Sequence, residues 1–354
     1  MGAPSRESRP PGLLDVARAA GVSHQTVSRV LNNQPNVRAE TRERVLAAIA
    51  DLGYRRNSAA RALVTRRSGT IGVLSHSSTL YGPVLTLNSV EQAVREAGMF
   101  VSLASLRNAD DAILSGALEH FLEQGVEGLI VIAPVPAVVQ AATALASRLP
   151  IVLVTAGEQV APSVSTAAPD LRSVGVDQVA GARAATEHLL SLGHRRIVHV
   201  SGPREWFDAA ARVAGWSSAL EAAGVTAPDL LEGDWTAASG AAAAAALMAE
   251  TLPTAVVAGN DLMALGLIKA FTDAGVRVPE DVSVVGFDDS DGSAHFRPAL
   301  TTLRQDFGEL GRQCVDLMLG LLGGGGEAGA TLIQPRLVVR QSTSRPRGLD
   351  PTGL

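Results

Sequence analysis

Cysteine is almost missing from this chain: Cys314 is the only one in 354 residues. Disulfides within the chain, zinc ribbons and iron–sulfur sites are therefore excluded, since each needs several thiols at short spacing. The lone thiol reads as a small buried hydrophobe. Aromatic residues make up only 3%, so each tryptophan stands out. No apolar run reaches the roughly 18 residues of a membrane span, and the alanine block 241–246 is too short. Met1–Pro11 is rich in Arg, Pro and Ser without an apolar stretch, so the expectation is a cytoplasmic chain with no secretion segment and no membrane partner. Enzyme motifs are missing as well. There is no G-x-G-x-x-G after a strand, no G-x-x-x-x-G-K-[ST], no G-x-S-x-G and no H-E-x-x-H. The seven histidines, at 24, 76, 120, 188, 194, 199 and 295, show no metal spacing. The glycine run 323–326 follows a helical stretch and reads as a loop. No catalytic residue, cofactor or metal is expected.

What is present is apolar bulk, 46% against 18% charged residues, enough for a large core and too much for general disorder. The length suggests two to three domains. The net charge of −5 hides a split. Residues 1–68 hold 12 arginines against five acids, a charge of +7, and the remainder carries −12. A basic head on an acidic body suits nucleic acid, although a solvated basic tail would give the same balance. Lys269 is the only lysine.

Within that head, Leu13–Ala20 reads as a short helix, Gly21 supplies a turn and Ser23 is a good N-cap for the next helix. There Val27, Val30 and Leu31 form one buried stripe, leaving His24, Gln25, Ser28 and Arg29 on the other face. Such a face can read base edges, Arg suiting guanine and Gln adenine. A third helix carries Val45, Ala48, Ile49 and Leu52 at helical spacing and stops at Gly53. Asn57–Val64 is long enough for two helical turns but too short to be stable alone.

The stretch LLDVARAAGVSHQTVSRVLNNQPNVRAETRERVLAAIADLGY (13–54) resembles the head of the LacI/GalR repressors. The resemblance implies that His24, Gln25, Ser28 and Arg29 face the major groove of double-stranded operator DNA. It also implies a hinge helix that begins at Asn57 and enters the minor groove, where Leu63 wedges a base step open. Without that context Leu63 would simply pack on the body. Departures are Arg38, where the family usually has a capping Ser or Thr, and Arg56, where it usually has Pro.

From Thr70 apolar runs alternate with helical stretches. The runs are 70–74, 99–103, 128–132 and 151–155, then 196–200, 254–259 and 282–287. Continuous apolar strands separated by helices mean parallel sheets covered on both faces. Two sets imply two halves, switching near the Pro/Ser/Ala-rich stretch 156–175, with a ligand cleft between them beyond the strand ends. The motifs GPREWFDAAARVAGW, EGDWTAASG, GNDLMALG, VSVVGFDD and LTTLRQDFGELG extend the family resemblance over the body. The fold class implied is α/β: a three-helix helix-turn-helix head and a two-lobed, periplasmic-binding-protein-like body. The implied division is a tail at 1–11, head 12–56, hinge helix and linker 57–69, body 70–345 and tail 346–354. The upper lobe is 70–175 with part of 304–345, the lower lobe 176–303. The chain is expected to leave the upper lobe near 175, return near 304, and end there with strands around 332–343.

Arg212, Asn260 and Asp288 are placed at strand ends or helix starts, where side chains face a cleft, and Trp235 is a rare aromatic. The resemblance implies that these four contact a sugar and that Leu80, Pro83, Gln305 and Phe307 line the pocket. Arg212 and Asp288 would also fit a structural ion pair, and Trp235 ordinary core. Thr155, Ile132, Val176 and His76 stand where a galactoside-responsive member has Asp, Asn, Phe and Ser, which removes hydroxyl partners from the upper side. The expectation is a homodimeric transcriptional repressor released by a sugar effector, a galactoside being one candidate. The absence of a leucine heptad in the tail argues for a dimer over a tetramer. The alternative is a solute-binding or sugar-sensing protein with no operator role.

Overall fold

This computed structural model describes residues 11–31, 34–54, 67–76, 80–106, 111–132, 135–156, 170–325 and 330–347. Asn57 and Leu63 lie outside them. Two compact units divide the chain, one up to Ser68 and one from Gly69.

The first unit holds α1 (Leu13–Ala20), α2 (His24–Leu31) and α3 (Ala39–Asp51). Gly21 closes α1 with φ of +63°, a conformation that costs a residue with a Cβ more than glycine. The amide of Val22 then donates to the Ala17 carbonyl at 3.0 Å. Ser23 Oγ accepts from the Thr26 amide at 3.2 Å and starts α2. Arg38 precedes α3 without a side-chain cap bond. Val16, Ala17, Ala20, Val27, Val30, Val45 and Ala48 form the core. Leu52 is not part of it. It caps α3 at 37% exposure, one residue past the last turn, so the stripe stops at Ile49.

The second unit has two lobes. The upper sheet runs β11-β5-β4-β3-β1-β2 and is parallel throughout. Its strands are β1 (Thr70–His76), β2 (Phe100–Leu106), β3 (Gly128–Ile132), β4 (Ile151–Val154), β5 (Leu171–Val176) and β11 (Ala330–Ile333). Successive residues feed opposite cores. Leu129, Val131, Ile151 and Leu153 pack under α5 (Asp111–Glu123) and α6 (Pro136–Leu145). Ile130, Ile132, Val152 and Val154 pack under α4 (Tyr81–Glu96) and α11 (Phe307–Leu322). Burial on both faces explains why these strands read as unbroken apolar runs.

The lower sheet runs β12-β10-β9-β8-β6-β7. It comprises β6 (Ile197–Ser201), β7 (Leu231–Glu232), β8 (Ala255–Ala258), β9 (Ser283–Asp288), β10 (Thr301–Arg304) and β12 (Arg336–Val338). Only β12 is antiparallel, to β10. One face carries α7 (Gln178–Ser191) and α8 (Phe207–Ala222), the other α9 (Ala237–Ala249) and α10 (Asp261–Asp273).

Two features depart from the sequence reading. The stretch 156–175 is not all connection, because β5 begins at Leu171 and continues to Val176. Arg172, Ser173 and Gly175 interrupt the apolar pattern that would have marked it. Nor do the closing strands stay in the upper lobe. β11 pairs with β5 there, but the chain crosses a third time at Gln334–Pro335, and β12 joins the lower sheet. Ser342, fully buried, then accepts from the Thr301 amide at 2.8 Å and donates to the Val284 carbonyl at 2.6 Å. These bonds fix 336–344 to the lower lobe.

Helices α9 and α10 touch backbone to backbone. A Cβ on Gly266 would fall on the Ala237 carbonyl oxygen, and one on Gly240 on that of Met263. Gly266→Ala should therefore push the pair apart and destabilise the fold by about 1–3 kcal/mol. Thermal unfolding reads this directly, and an unchanged Tm would refute the close approach.

Candidate functional site

In the first unit, His24, Gln25 and Arg29 are exposed on α2 and Ser28 is half-buried on the same face. Val27 and Val30 on the opposite face hold the helix to the core. Three residue types that can bond base edges are thus presented together, on a helix whose other side is fixed.

In the second unit a cavity of about 80 Å³ opens between the lobes. All eight body residues singled out in the sequence line it: Leu80, Pro83, Arg212, Trp235, Asn260, Asp288, Gln305 and Phe307. Asp288 ends β9, Asn260 follows β8, Gln305 follows β10, Phe307 opens α11 and Leu80 precedes α4. Arg212 sits in the second turn of α8, not at a helix start.

Arg212 is only 4% exposed. Its Nε donates to Gln178 Oε1 at 2.9 Å and its Nη1 to the Gly259 carbonyl. The guanidinium carbon lies 3.8 Å from the Phe287 ring centroid and 5.4 Å from that of Trp235, within the range of cation–π attraction. Nη2 stands 3.9 Å from both the Asp208 and Asp288 carboxylates. Gln178 Nε2 donates to Gln305 Oε1 at 2.9 Å, and Gln305 Nε2 to Asp288 Oδ1 at 2.6 Å. Arg212, Gln178, Gln305 and Asp288 thus close a ring. Arg212 and Asp288 are near enough to attract, and both border the cavity.

Asn260 is partly occupied by its own fold. Its Oδ1 caps α10 by accepting from the Met263 amide at 2.8 Å, and its Nδ2 donates to the Trp235 carbonyl at 3.1 Å. One amide hydrogen remains. Trp235 and Asp288 have φ of +70° and +118°. Non-glycine residues rarely adopt this region, and they persist there only where their surroundings force it, commonly at binding sites.

Burial raises the Asp288 carboxyl to about 7 against the pull of Arg212, and nearby Asp261 adds to the rise. Asp261 is raised too, again by burial, although Ser293, Thr302 and Ser290 donate to it. Burial within the cleft also raises Asp208. The Tyr81 hydroxyl is raised to about 12 by burial and then by Asp291, Asp288, Asp261 and Asp289 across the cleft. It remains a neutral donor.

Sequence reasoning missed Gln178, Trp206, Asp208, Tyr81 and Asp261. Gln178 starts the helix after β5, and β5 itself went unread. Trp206 and Asp208 lie six and four residues before Arg212 in one motif, and the rarity of tryptophan was an available signal for Trp206. Among the described residues no group of His, Cys, Asp and Glu could hold a metal, and no helix is long and apolar enough to cross a membrane.

Residues 12–57 match the bacterial regulatory proteins of the lacI family, and residues 186–343 match the periplasmic binding protein-like domain. The lactose operon repressor of Escherichia coli (strain K12) is 35% identical over 96% of this chain and 92% of its own length. The chain belongs to the lacI family. The HTH-type transcriptional repressor PurR of Klebsiella pneumoniae (strain 342) is 32% identical over 93% of this lacI-family chain and 96% of its own length. Among solved structures, the lac repressor dimer bound to operator and the anti-inducer ONPF gives a TM-score of 0.85 at 36% identity, covering 95% of this chain and all of that one. The transcriptional regulator CelR with cellobiose gives 0.66 at 30%, covering 94% and 99%. These relatives are transcriptional repressors and regulators, and membership makes this chain a DNA-binding regulator with a ligand-binding body, not an enzyme.

Asp288 holds its proton more tightly folded than unfolded. Its contribution to stability is complete below about pH 4, where an unfolded carboxyl titrates, and is lost as pH rises through about 7. Asp288→Asn should remove that dependence, so the Tm of the wild-type chain should fall relative to the variant between about pH 4 and 7. Parallel curves would show that Asp288 titrates in the ordinary range.

Proposed function

We propose that this lacI-family chain is a cytoplasmic repressor that binds operator DNA as a homodimer through α2 and is released by a sugar held between the lobes. The observation that carries the reading is the convergence of Arg212, Asn260, Asp288 and Gln305 on one cavity wall beside Trp235. Planar donors and acceptors suit sugar hydroxyls, and an indole suits a C–H face. Two heads in two-fold symmetry read the half-sites of a palindrome. Gln25 takes adenine and Arg29 guanine, with His24 and Ser28 completing the face. We assign Asn57 and Leu63 to the hinge-and-linker segment 57–69, with Leu63 as the wedge that opens the minor groove. The head extends over 12–56 and the body over 70–345. The effector acts through its unequal affinity for the two states of the body. The operator, ONPF and cellobiose in the structures of relatives support a DNA partner and a sugar-like effector.

Arg29→Ala should weaken specific operator binding by about 1–3 kcal/mol and relax one base position, leaving non-specific binding nearly unchanged. Gel shifts on an operator selected from random DNA test this. An equal loss on all sequences would make Arg29 a phosphate contact. In the same assay Arg212→Lys keeps the charge but loses the planar fork, so operator binding should persist while release by sugar is lost.

A further inference from the structure

An arginine side chain can only donate hydrogen bonds, and an ionised carboxylate can only accept them. In the lower lobe Arg212 and Asp288 stand at the two ends of a chain of two buried glutamines, Gln178 and Gln305. A side-chain amide accepts on one side and donates on the other, so the first bond decides the rest. Arg212 Nε donates at 2.9 Å, and Gln178 has to present Oε1 to it. That leaves Gln178 Nε2 for Gln305 Oε1 at 2.9 Å, and Gln305 Nε2 for Asp288 Oδ1 at 2.6 Å. Among the described residues no hydrogen bond reaches Asp288 Oδ2, and Asp288 lines the cavity. An amide turned the wrong way at this depth would leave a donor or an acceptor unmatched, which is costly.

Resting on the sugar-effector reading above, we propose that Gln178 is a positioning residue for the effector: through Gln305 it holds one oxygen of Asp288 and leaves the other to accept from a ligand hydroxyl. A side chain that merely filled space at 178 would impose no polarity on Gln305. Gln178→Glu reverses the polarity. The new carboxylate accepts from Arg212 with one oxygen and from Gln305 Nε2 with the other, so Gln305 turns Oε1 towards Asp288 and two acceptors meet. Asp288→Asn alone fails differently. Gln305 still donates to its oxygen, and an amide nitrogen, a donor, takes the place of the accepting oxygen in the cavity. In the double variant the new amide at position 288 donates to Gln305 Oε1, and its oxygen returns to the cavity.

Calorimetric titration of the full chain with galactose, glucose, lactose and cellobiose at pH 8, where Asp288 is mostly ionised, tests this together with melting of the same proteins. For the sugar that the wild-type chain binds tightest, each single variant should lose roughly tenfold or more in affinity, and the double variant should recover most of it. The double variant should also melt about 2 °C or more above the value given by adding the two single shifts. Direct repulsion between carboxylates at 178 and 288 would couple them as well, so the melting cycle is repeated on Gln305→Leu. Coupling relayed by Gln305 vanishes there, and direct repulsion survives. Additive melting shifts, coupling that survives without Gln305, or a double variant that binds no better than the single ones overturns the proposal. Should Gln178→Glu not fold, Gln178→Met frees Gln305 to turn either way. Asp288→Asn should then cost less affinity than it does in the wild-type chain, and an equal cost overturns the relay. A wild-type chain that binds none of the four sugars refutes the sugar-effector reading instead, and the melting cycle alone then decides on the relay.

Discussion

A guanidinium buried in the wall of a cleft has to be compensated on every side, and Arg212 organises the body around that requirement. Carrying an unpaired charge at this depth would cost several kcal/mol. The surroundings answer with a carbonyl, two carboxylates, a glutamine and two aromatic faces. The field reaches the core between α8 and the lower sheet. Burial first, and then the Arg212 charge, lowers His199 to about 4, so its ring stays neutral against Trp216. A single side chain on α8 thereby adds to the effect of burial at His199 and opposes it at Asp288.

The same ring of bonds touches the places where the chain passes between lobes. Gln178 follows the first crossing and Gln305 occupies the second. At the third, Gln334 Nε2 donates to Asp177 Oδ2 at 3.0 Å, and the Asp177 amide donates to the Ile333 carbonyl at 2.9 Å. The three connections lie side by side, laced by side-chain amides and carboxylates. A ligand that repositions Arg212 or Asp288 therefore acts on groups bonded to two of the crossings. Cross-lobe packing adds to this, since Leu80 of the upper lobe packs on the lower core and Phe207 of α8 on the upper core.

The head was almost wholly legible in the sequence because its elements are local. The helices have caps, a glycine turn and a 3.6-residue stripe, and only Leu52 fell outside the pattern. The body strands were legible where both faces are buried, since β1, β3, β4, β8 and β9 are then continuous apolar runs. β5 was not, because Arg172 and Ser173 break the run, and β12, expected as a strand, was placed in the wrong lobe, because three edge residues with exposed Arg336 carry no pattern that names their partner. Site residues followed the same rule. Asp288 and Asn260 end apolar strands and could be read. Gln178 and Asp208 acquire meaning only once Arg212 is placed between them, which is a tertiary fact.

The third crossing has a consequence for synthesis. Neither lobe is a continuous stretch of chain: the upper one needs α11 and β11, the lower one needs β12 and the buried Ser342. A nascent chain that has emerged only as far as β10 has an open edge on each sheet. The head, with all its helices before Ser68, completes its core hundreds of residues earlier. Each ribosome thus displays a folded three-helix unit well before the body that follows it can close.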